Sequence, residues 1–200
     1  MHEQTSAPIG EMLQNLQVHV TDAQETQCWP EWREIDYVPA HNKLYWICGG
    51  EGWLRIGGRD FYPRSGQLCL MPSGVRQSYS TLEGKPPFRK YWCHFAARIG
   101  DLDLFQWLDV PYCLDMPDPM TELFARLTTA FADPSLSARF REKAALLDIL
   151  SLFLQEAPVR IAAGRTEDLQ RLSEIERFLE AHLSQPLTLD RLARHLPLHP

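Results

Sequence analysis

The chain changes its hydrophobic pattern near the middle. Up to about residue 98 it is rich in aromatic residues, is interrupted by Gly and Pro, and alternates apolar and polar positions in short runs that predict β-strands. The predicted strands are residues 16–20, 32–38, 43–48, 53–56, 59–62, 67–71, 76–81 and 89–95. Strands spaced so closely indicate a β-barrel or β-sandwich. Glycines at 49–52 and 57–58 favour tight hairpins between consecutive antiparallel strands.

From about residue 117 onward the apolar residues recur at helical spacing instead. Residues 119–132 and 138–155 each carry large apolar side chains on one face, which predicts two amphipathic helices. After an Ala-Ala-Gly break at 162–164, Thr166 precedes two acidic residues and a further apolar stripe, so a third helix is predicted to begin there. The boundary between the two patterns lies near residues 112–119.

Composition excludes several classes of protein. The 200 residues have an ordinary apolar fraction of 44%, which fits one large domain with an appendage. No apolar run reaches membrane-spanning length, and the N-terminus lacks the regions of a secretory signal, so we expect a cytoplasmic protein without a membrane partner. The net charge of −6 is opposite in sign to a phosphate-binding surface, so this stretch of chain should not bind DNA strongly by itself.

The five cysteines are odd in number and far apart along the chain. This spacing predicts neither a disulfide framework nor a zinc site. We therefore expect buried free thiols at Cys28, Cys48, Cys69, Cys93 and Cys113.

The last fifteen residues, 186–200, predict a short helix and the start of a second one. Thr188 can cap the first helix, and Pro197 ends it. This stretch resembles the opening of the two-helix-turn-helix domain of the AraC/XylS family of transcription regulators, with His199 where that family has Ser. The alternative is that any short amphipathic helix after a proline has a similar pattern.

Three segments of the first half carry a second resemblance, in the expected order along the chain. Residues 66–77 (GQLCLMPSGVRQ) resemble the second cupin signature, and residues 45–52 (YWICGGEG) resemble the first cupin strand with its turn. Residues 91–95 (YWCHF) resemble a strand of AraC-type sensor domains. The fold class that this implies is mainly β with α: a cupin-type double-stranded β-helix, or jelly-roll barrel, followed by amphipathic helices.

The resemblance also implies a division of the chain into four segments. They are an N-terminal arm (1–15), a cupin-type effector-binding barrel (16–116), a helical dimerisation segment (117–163), and a linker helix with the first helix of a truncated helix-turn-helix domain (164–200). The arm is a candidate lid over the bound effector, and its first residues have little core-forming pattern. DNA-contacting residues are not assigned, because the recognition helices would lie beyond Pro200.

Cupin enzymes hold a metal with three histidines and a glutamate. By the family spacing these four positions correspond to Tyr37, Pro39, Lys43 and Gln77, none of which is a ligand of the required kind. We therefore expect no metal, no cofactor and no enzymatic activity. The alternatives are a metal-dependent cupin enzyme, such as an isomerase or dioxygenase, and a stand-alone carbohydrate-binding cupin.

Without a metal, the barrel interior is predicted to bind a small molecule. Strand alternation and the resemblance place these residues in the lining: Tyr37, His41, Lys43, Tyr45, Gln77, Tyr79, Trp92 and His94. On the last strand the parity is open, since Tyr91, Cys93 and Phe95 could face inward instead. Aromatic faces beside polar groups would suit a ring-shaped polar compound such as a sugar.

The predicted function is ligand-controlled transcription by a homodimer that binds promoter DNA through a C-terminal domain mostly absent from this sequence. The helices up to residue 155 are predicted to supply the dimer contact, or alternatively only to cover the barrel. The predicted dimer residues are Leu123, Leu127, Leu146, Leu147, Leu150 and Phe153.

Overall fold

The structure is a computed structural model that describes residue 10, residues 12–182 and residue 188. The strands are β1 (Gln17–Gln27), β2 (Arg33–Tyr37), β3 (Asn42–Gly49), β4 (Gly52–Ile56), β5 (Arg59–Phe61), β6 (Gln67–Met71), β7 (Gln77–Thr81), β8 (Arg89–Ile99), β9 (Leu102–Asp103), β10 (Leu108–Asp109), β11 (Cys113–Asp115) and β12 (Arg160–Ile161). The helices are α1 (Leu104–Trp107), α2 (Met120–Ala132), α3 (Leu136–Glu156) and α4 (Arg165–His182).

Two antiparallel sheets face each other. The larger sheet has the order β1-β8-β3-β6-β11, with β9 paired to β8, and the smaller has the order β2-β7-β4-β5. The eight strands predicted from the pattern are all present, which confirms that part of the sequence analysis. β1 runs further than predicted and continues through an irregularity between Val20 and Asp22. The prediction missed its second half because residues 21–27 are polar apart from Ala23.

The central strand β3 is buried on both faces, because it separates two hydrophobic clusters. Leu44 and Trp46 point to the side of the helices, and Tyr45 and Ile47 point between the two sheets. A strand covered on both sides has a continuous apolar run rather than alternation, as residues 44–47 do. The register of β3 therefore decides which residues form the barrel interior.

The turn from β3 to β4 depends on Gly50. Its φ of 80° lies in the left-handed region, where a side chain is unfavourable. A side chain at this position would also collide with the backbone of Pro87 and Phe88, which lead into β8. Gly50 thus allows the chain before β8 to pass close to the hairpin.

The helices α2 and α3 pack on the outer face of the larger sheet and bury most of their apolar side chains there. This corrects the predicted dimer contact, because five of its six residues belong to the core of the protomer and have no surface left for a partner. These residues are Leu123, Leu127, Leu146, Leu150 and Phe153. Leu147 differs, since 44% of its surface is exposed.

The end of the N-terminal arm lies on the same side as the helices. Met12 and Leu13 of the arm pack, beside Leu16 at the start of the barrel, against the cluster formed by the outer face of the larger sheet. These described residues of the arm are therefore part of the helix-side packing rather than a free tail. The predicted helix at the C-terminus lies outside the described residues, apart from Thr188. None of the described helices is long and apolar enough to cross a membrane.

The cysteine prediction was wrong for one pair. Cys69 of β6 lies directly opposite Cys113 of β11, and the two form a disulfide. The sequence did not indicate it because 44 residues separate the two and β11 is only three residues long. Cys28 and Cys93 are buried free thiols as predicted, and Cys48 is a free thiol that is partly exposed.

The disulfide should contribute measurably to stability. Replacing Cys113 by Ser is expected to lower the free energy of unfolding by about 2–4 kcal/mol under oxidising conditions, because the cross-link restricts the unfolded chain. Urea unfolding followed by tryptophan fluorescence measures this change. A reductant should then destabilise the unchanged protein and the Cys48→Ser variant but not Cys113→Ser. Equal sensitivity of all three to the reductant would contradict the cross-link.

Candidate functional site

The pairing of β3 with β8 brings polar side chains together between the two sheets. In this register Lys43 lies opposite His94, Tyr45 opposite Trp92, and Ile47 opposite Lys90. Directly opposed residues of an antiparallel pair project to the same face, so these side chains share the interior. The open parity of β8 is thereby resolved in favour of the set that contains Trp92 and His94.

The alternate residues of β8 face the helices instead. Cys93 and Phe95 are fully buried in the cluster on that side. The ring of Tyr91 lies 6.2 Å from that of Phe124 on α2. These residues are therefore part of the core and do not line the candidate site.

Lys90 is the central cation of the site, and sequence analysis missed it. Its Nζ lies 3.3 Å from the ring centroid of Tyr45, 4.5 Å from that of Trp32 and 5.8 Å from that of Trp92. The side chain is only 3% exposed. Aromatic faces attract a desolvated cation, so the three rings form a cage around the ammonium group. The available signal was that residue 90 has the same parity as Trp92 and His94.

Lys43 is a second buried cation in the same interior. Its Nζ donates a hydrogen bond to Tyr37 Oη and lies 5.5 Å from the ring centroid of Tyr79. Tyr37 Oη in turn donates to Gln77 Oε1 at 3.4 Å, and Gln77 Nε2 donates to the carbonyl oxygen of Pro72 at 2.7 Å. The amide of Gln77 is thus held at both ends and positions Tyr37 and Lys43.

Two aromatic pairs, one stacked and one tilted, make up the walls of the site. Trp32 stacks on Tyr79 with 4.3 Å between ring centroids, and Tyr79 Oη donates to a carboxylate oxygen of Glu34 at 3.2 Å. Trp92 lies 4.7 Å from the ring of His94, and its Nε1 donates to Thr26 Oγ1 at 2.8 Å. The polar atoms of Tyr79 and Trp92 are therefore occupied, and their ring faces remain toward the interior.

His41 and His94 lie side by side, with 4.4 Å between ring centroids. Burial lowers the pKa of His94 to about 3, with further contributions from His41 and from the two lysines. Burial also lowers the pKa of His41, as does Lys43. Both rings are therefore neutral at physiological pH. Nε2 of His41 is buried and has no hydrogen-bond partner among the described residues.

The two lysines are strongly perturbed by their surroundings. Burial lowers the pKa of Lys90 to about 7, and the nearby charge of Lys43 acts in the same direction. Burial lowers the pKa of Lys43 to about 8, with partial compensation by Glu34. Within the described residues neither ammonium group is within 4.0 Å of a carboxylate oxygen. The interior therefore holds two lysines whose protonated forms are destabilised by burial and have no carboxylate within 4.0 Å among the described residues.

These donors do not fit the metal site that cupin enzymes contain. Among the described residues no three His, Cys, Asp or Glu side chains lie close enough together to bind one ion. His41 and His94 stack on each other, and the neighbouring cations of Lys43 and Lys90 would repel a metal ion. We therefore derive no chemistry through a metal here.

All eight residues predicted to line the ligand site can be placed in this structure. Lys43, Tyr45, Gln77, Tyr79, Trp92 and His94 lie between the sheets, Tyr37 is joined to them through Lys43 and Gln77, and His41 is joined through His94. Whether they bind a ligand stays a prediction. Trp32 and Lys90 complete the cluster, and neither was predicted from the sequence.

A surface groove of about 810 Å³ runs along the outside of the smaller sheet. It reaches Trp32, whose ring is also a wall of the Lys90 cage. The groove is lined by residues of segments 30–35 and 80–85 together with Trp53, rather than by the lysines and histidines of the interior. The candidate site is identified by the buried lysines and histidines of the interior and not by the size of this groove.

Comparison with known proteins gives a family match. The family model of the AraC-like ligand binding domain matches residues 43–179. No curated protein matches the chain significantly. The fold class predicted from the sequence, a mainly β cupin-type barrel followed by helices, is confirmed by this match together with the two facing sheets.

Several solved structures are similar, at low identity. The protein YhaK from Escherichia coli is 17% identical, and the similarity covers 52% of this chain and 44% of that chain with a TM-score of 0.39. A predicted oxalate decarboxylase from Thermotoga maritima is 16% identical over 43% of this chain and 70% of that chain, with a TM-score of 0.32. A cupin protein from Bacteroides fragilis is 14% identical over 44% and 70%, with a TM-score of 0.31.

The depressed pKa of Lys90 predicts a pH-dependent stability. Between the folded pKa of about 7 and the ordinary value of 10.5, the unfolded chain holds a proton that the folded protein has lost, so the stability of the folded protein rises with pH. The Lys90→Met variant lacks this contribution to the pH dependence. The free energy of unfolding of Lys90→Met minus that of the unchanged protein should therefore fall by up to about 1.4 kcal/mol per pH unit across this range.

Urea unfolding of both proteins at pH 7, 8.5 and 10 measures the difference, in which the contributions of other titrating groups cancel. The exposed Lys143 offers a matched control, because Lys143→Met removes the same charge from the surface of α3. A pH dependence that is the same in all three proteins would contradict the buried position of the Lys90 ammonium.

Proposed function

Because this chain belongs to the family of AraC-like ligand-binding domains, we propose that it is the sensor part of a transcription regulator and binds a small molecule inside its barrel. The observation that carries the proposal is the interior, where among the described residues two buried lysines have no carboxylate partner and Nε2 of His41 has no hydrogen-bond partner. Buried polar groups normally have partners within the fold. We propose that a ligand supplies partners to those of the interior.

The fold offers a direct route from this interior to the helices. Tyr45 contacts the Lys90 ammonium, and the next residue, Trp46, points to the opposite side of the sheet. There its Nε1 donates to Thr121 Oγ1 of α2 at 2.9 Å. A ligand that moves β3 or β8 therefore also moves the contacts of α2, which biases the arrangement of the helices. The proposal is that this bias reaches a C-terminal DNA-binding domain.

The main rival is a cupin enzyme. Such an enzyme would need the metal ligands that the interior does not fit, or an acid–base pair beside the bound substrate. Both histidines have lowered pKa values because they are buried, and no carboxylate accompanies them among the described residues. We propose that the chain is not an enzyme, because the described residues of the interior do not fit the metal site of cupin enzymes.

Native mass spectrometry of the purified chain tests this function directly. We expect a dimer that retains an organic molecule and no stoichiometric metal. Lys90→Met should lose the retained molecule, and Lys143→Met should keep it. A monomer that carries stoichiometric iron, manganese or zinc would contradict the sensor proposal and favour the enzyme.

We infer that the proposed homodimer uses the outer face of α3. Leu136, Phe140 and Leu147 are 81%, 73% and 44% exposed, although all three are large and apolar. At 100° per residue they lie within about 40° of one another around the helix, which makes one continuous apolar stripe. This stripe replaces the buried residues of the original prediction, because its side chains are free to contact a second copy.

Replacing Phe140 by Lys should therefore weaken the dimer without unfolding the protomer. A charge placed in the centre of the stripe has to be desolvated in the interface, and we expect the dimer dissociation constant to rise at least tenfold. Sedimentation velocity over a concentration series measures it. Tyr62→Lys is the matched control, because Tyr62 is 66% exposed and follows β5 of the other sheet. Equal effects of both substitutions would contradict the assignment of α3 to the dimer interface.

A further inference from the structure

We propose that the ligand of this barrel is a small organic acid whose anionic oxygens pair with the ammonium groups of Lys90 and Lys43. This inference rests on the proposed ligand-sensing function and assigns the chemical class of the ligand. It departs from the sugar suggested by the sequence, which would be neutral.

The groups that the interior leaves free are mainly donors. Lys90 carries three N–H bonds and contacts only aromatic faces, with no described hydrogen-bond acceptor. Lys43 has donors beyond its bond to Tyr37. The acceptors nearby each receive a hydrogen bond from the protein: Gln77 Oε1 accepts from Tyr37, and one carboxylate oxygen of Glu34 accepts from Tyr79. A ligand for this site must therefore accept hydrogen bonds.

A small organic acid differs from neutral hydrogen-bond acceptors because it carries a negative charge. Two lysine side chains share the interior, and burial there makes their protonated forms unfavourable unless a negative charge joins them. The two neutral histidines add no negative charge. Within the described residues no carboxylate forms a salt bridge with either lysine. A carboxylate accepts hydrogen bonds from several donors at once and neutralises the excess charge.

A neutral sugar fits this arrangement poorly. Each sugar hydroxyl donates a proton as well as accepting one, so a sugar site needs acceptors beside its donors. The buried cations would also keep their unfavourable charge after a sugar had bound. The aromatic faces of Trp32, Tyr79 and Trp92 still suit a flat body, so the acid is expected to carry a ring.

A buried nitrogen of His41 is a second observation that indicates a ligand. Its Nε2 is buried and has no partner among the described residues, although His94 and Lys43 are close by. A neutral imidazole can donate one further hydrogen bond through this atom. We assign it to an oxygen of the same ligand, next to the pair formed with Lys43.

The experiment compares acids with neutral partners of the same shape. The full chain is titrated by isothermal calorimetry with nicotinate and nicotinamide, with cyclohexanecarboxylate and cyclohexanecarboxamide, and with glucuronate and glucose. Inorganic phosphate is added to separate a ring-bearing acid from a bare anion. We expect at least one acid to bind tenfold or more tightly than its neutral partner and more tightly than phosphate.

Two variants test whether Lys90 causes the preference for an acid over its neutral partner. Lys90→Met should abolish the preference for the acid and, at pH 7, raise the melting temperature of the ligand-free protein, because it removes a buried charge. Lys143→Met should leave both values unchanged. A lower melting temperature for Lys90→Met would show that the lysine is structural and would overturn the proposal, as would an acid preference that survives the substitution.

The remaining outcomes separate this inference from the proposed function. If the neutral partners bind as tightly as the acids, or if glucose alone binds, the chain is a small-molecule sensor and the assignment to acids is wrong. If no compound binds but native mass spectrometry shows a neutral molecule lost in Lys90→Met, the same conclusion holds. If nothing binds and nothing is retained, both proposals fail.

Discussion

The pairing of β3 with β8 is the constraint on which the rest of this structure depends. The two strands lie side by side in the larger sheet, and both of their faces are covered, one by the smaller sheet and one by the helices. A shift of one residue in β8 would turn Lys90, Trp92 and His94 toward the helices. It would bury a lysine in a wholly apolar core, so the correct register is strongly favoured.

The same constraint explains what the sequence could and could not predict. Alternation and glycine turns locate the eight main strands, since those signals are local. Lys90 could not be assigned, because the parity of residues 89–95 is ambiguous in isolation and a lysine is normally exposed. The Cys69–Cys113 bond depends on β11, whose three residues carry no periodicity. On α3 the buried and exposed apolar residues are alike in sequence, so only packing distinguishes the sheet-facing stripe from the outer one.

The interior and the helix-side core make opposite contributions to stability. Leu44, Phe95 and Phe124 are fully buried among apolar neighbours, which stabilises the fold. Lys43 and Lys90 are buried with no carboxylate partner in the part of the chain that the structure describes, which destabilises it. A protein can retain such a defect where binding requires it, provided that the remaining core is large enough to compensate. The separation of the two clusters by one sheet keeps the defect away from the packing that holds the helices.

That separation also determines how the two sides communicate. Side chains alternate along β3, so Tyr45 in the ligand site and Trp46 at the helix are adjacent residues of one extended backbone. A ligand that draws the Lys90 ammonium away from the Tyr45 ring changes the contacts of that backbone without any hinge or loop. Because both clusters are closely packed, the sheet cannot absorb such a change locally, and α2 has to adjust through the hydrogen bond from Trp46 to Thr121. In the proposed sensor the two lysines would select the charge of the ligand, and Lys90 would act on α2 through its contact with Tyr45, the residue before Trp46.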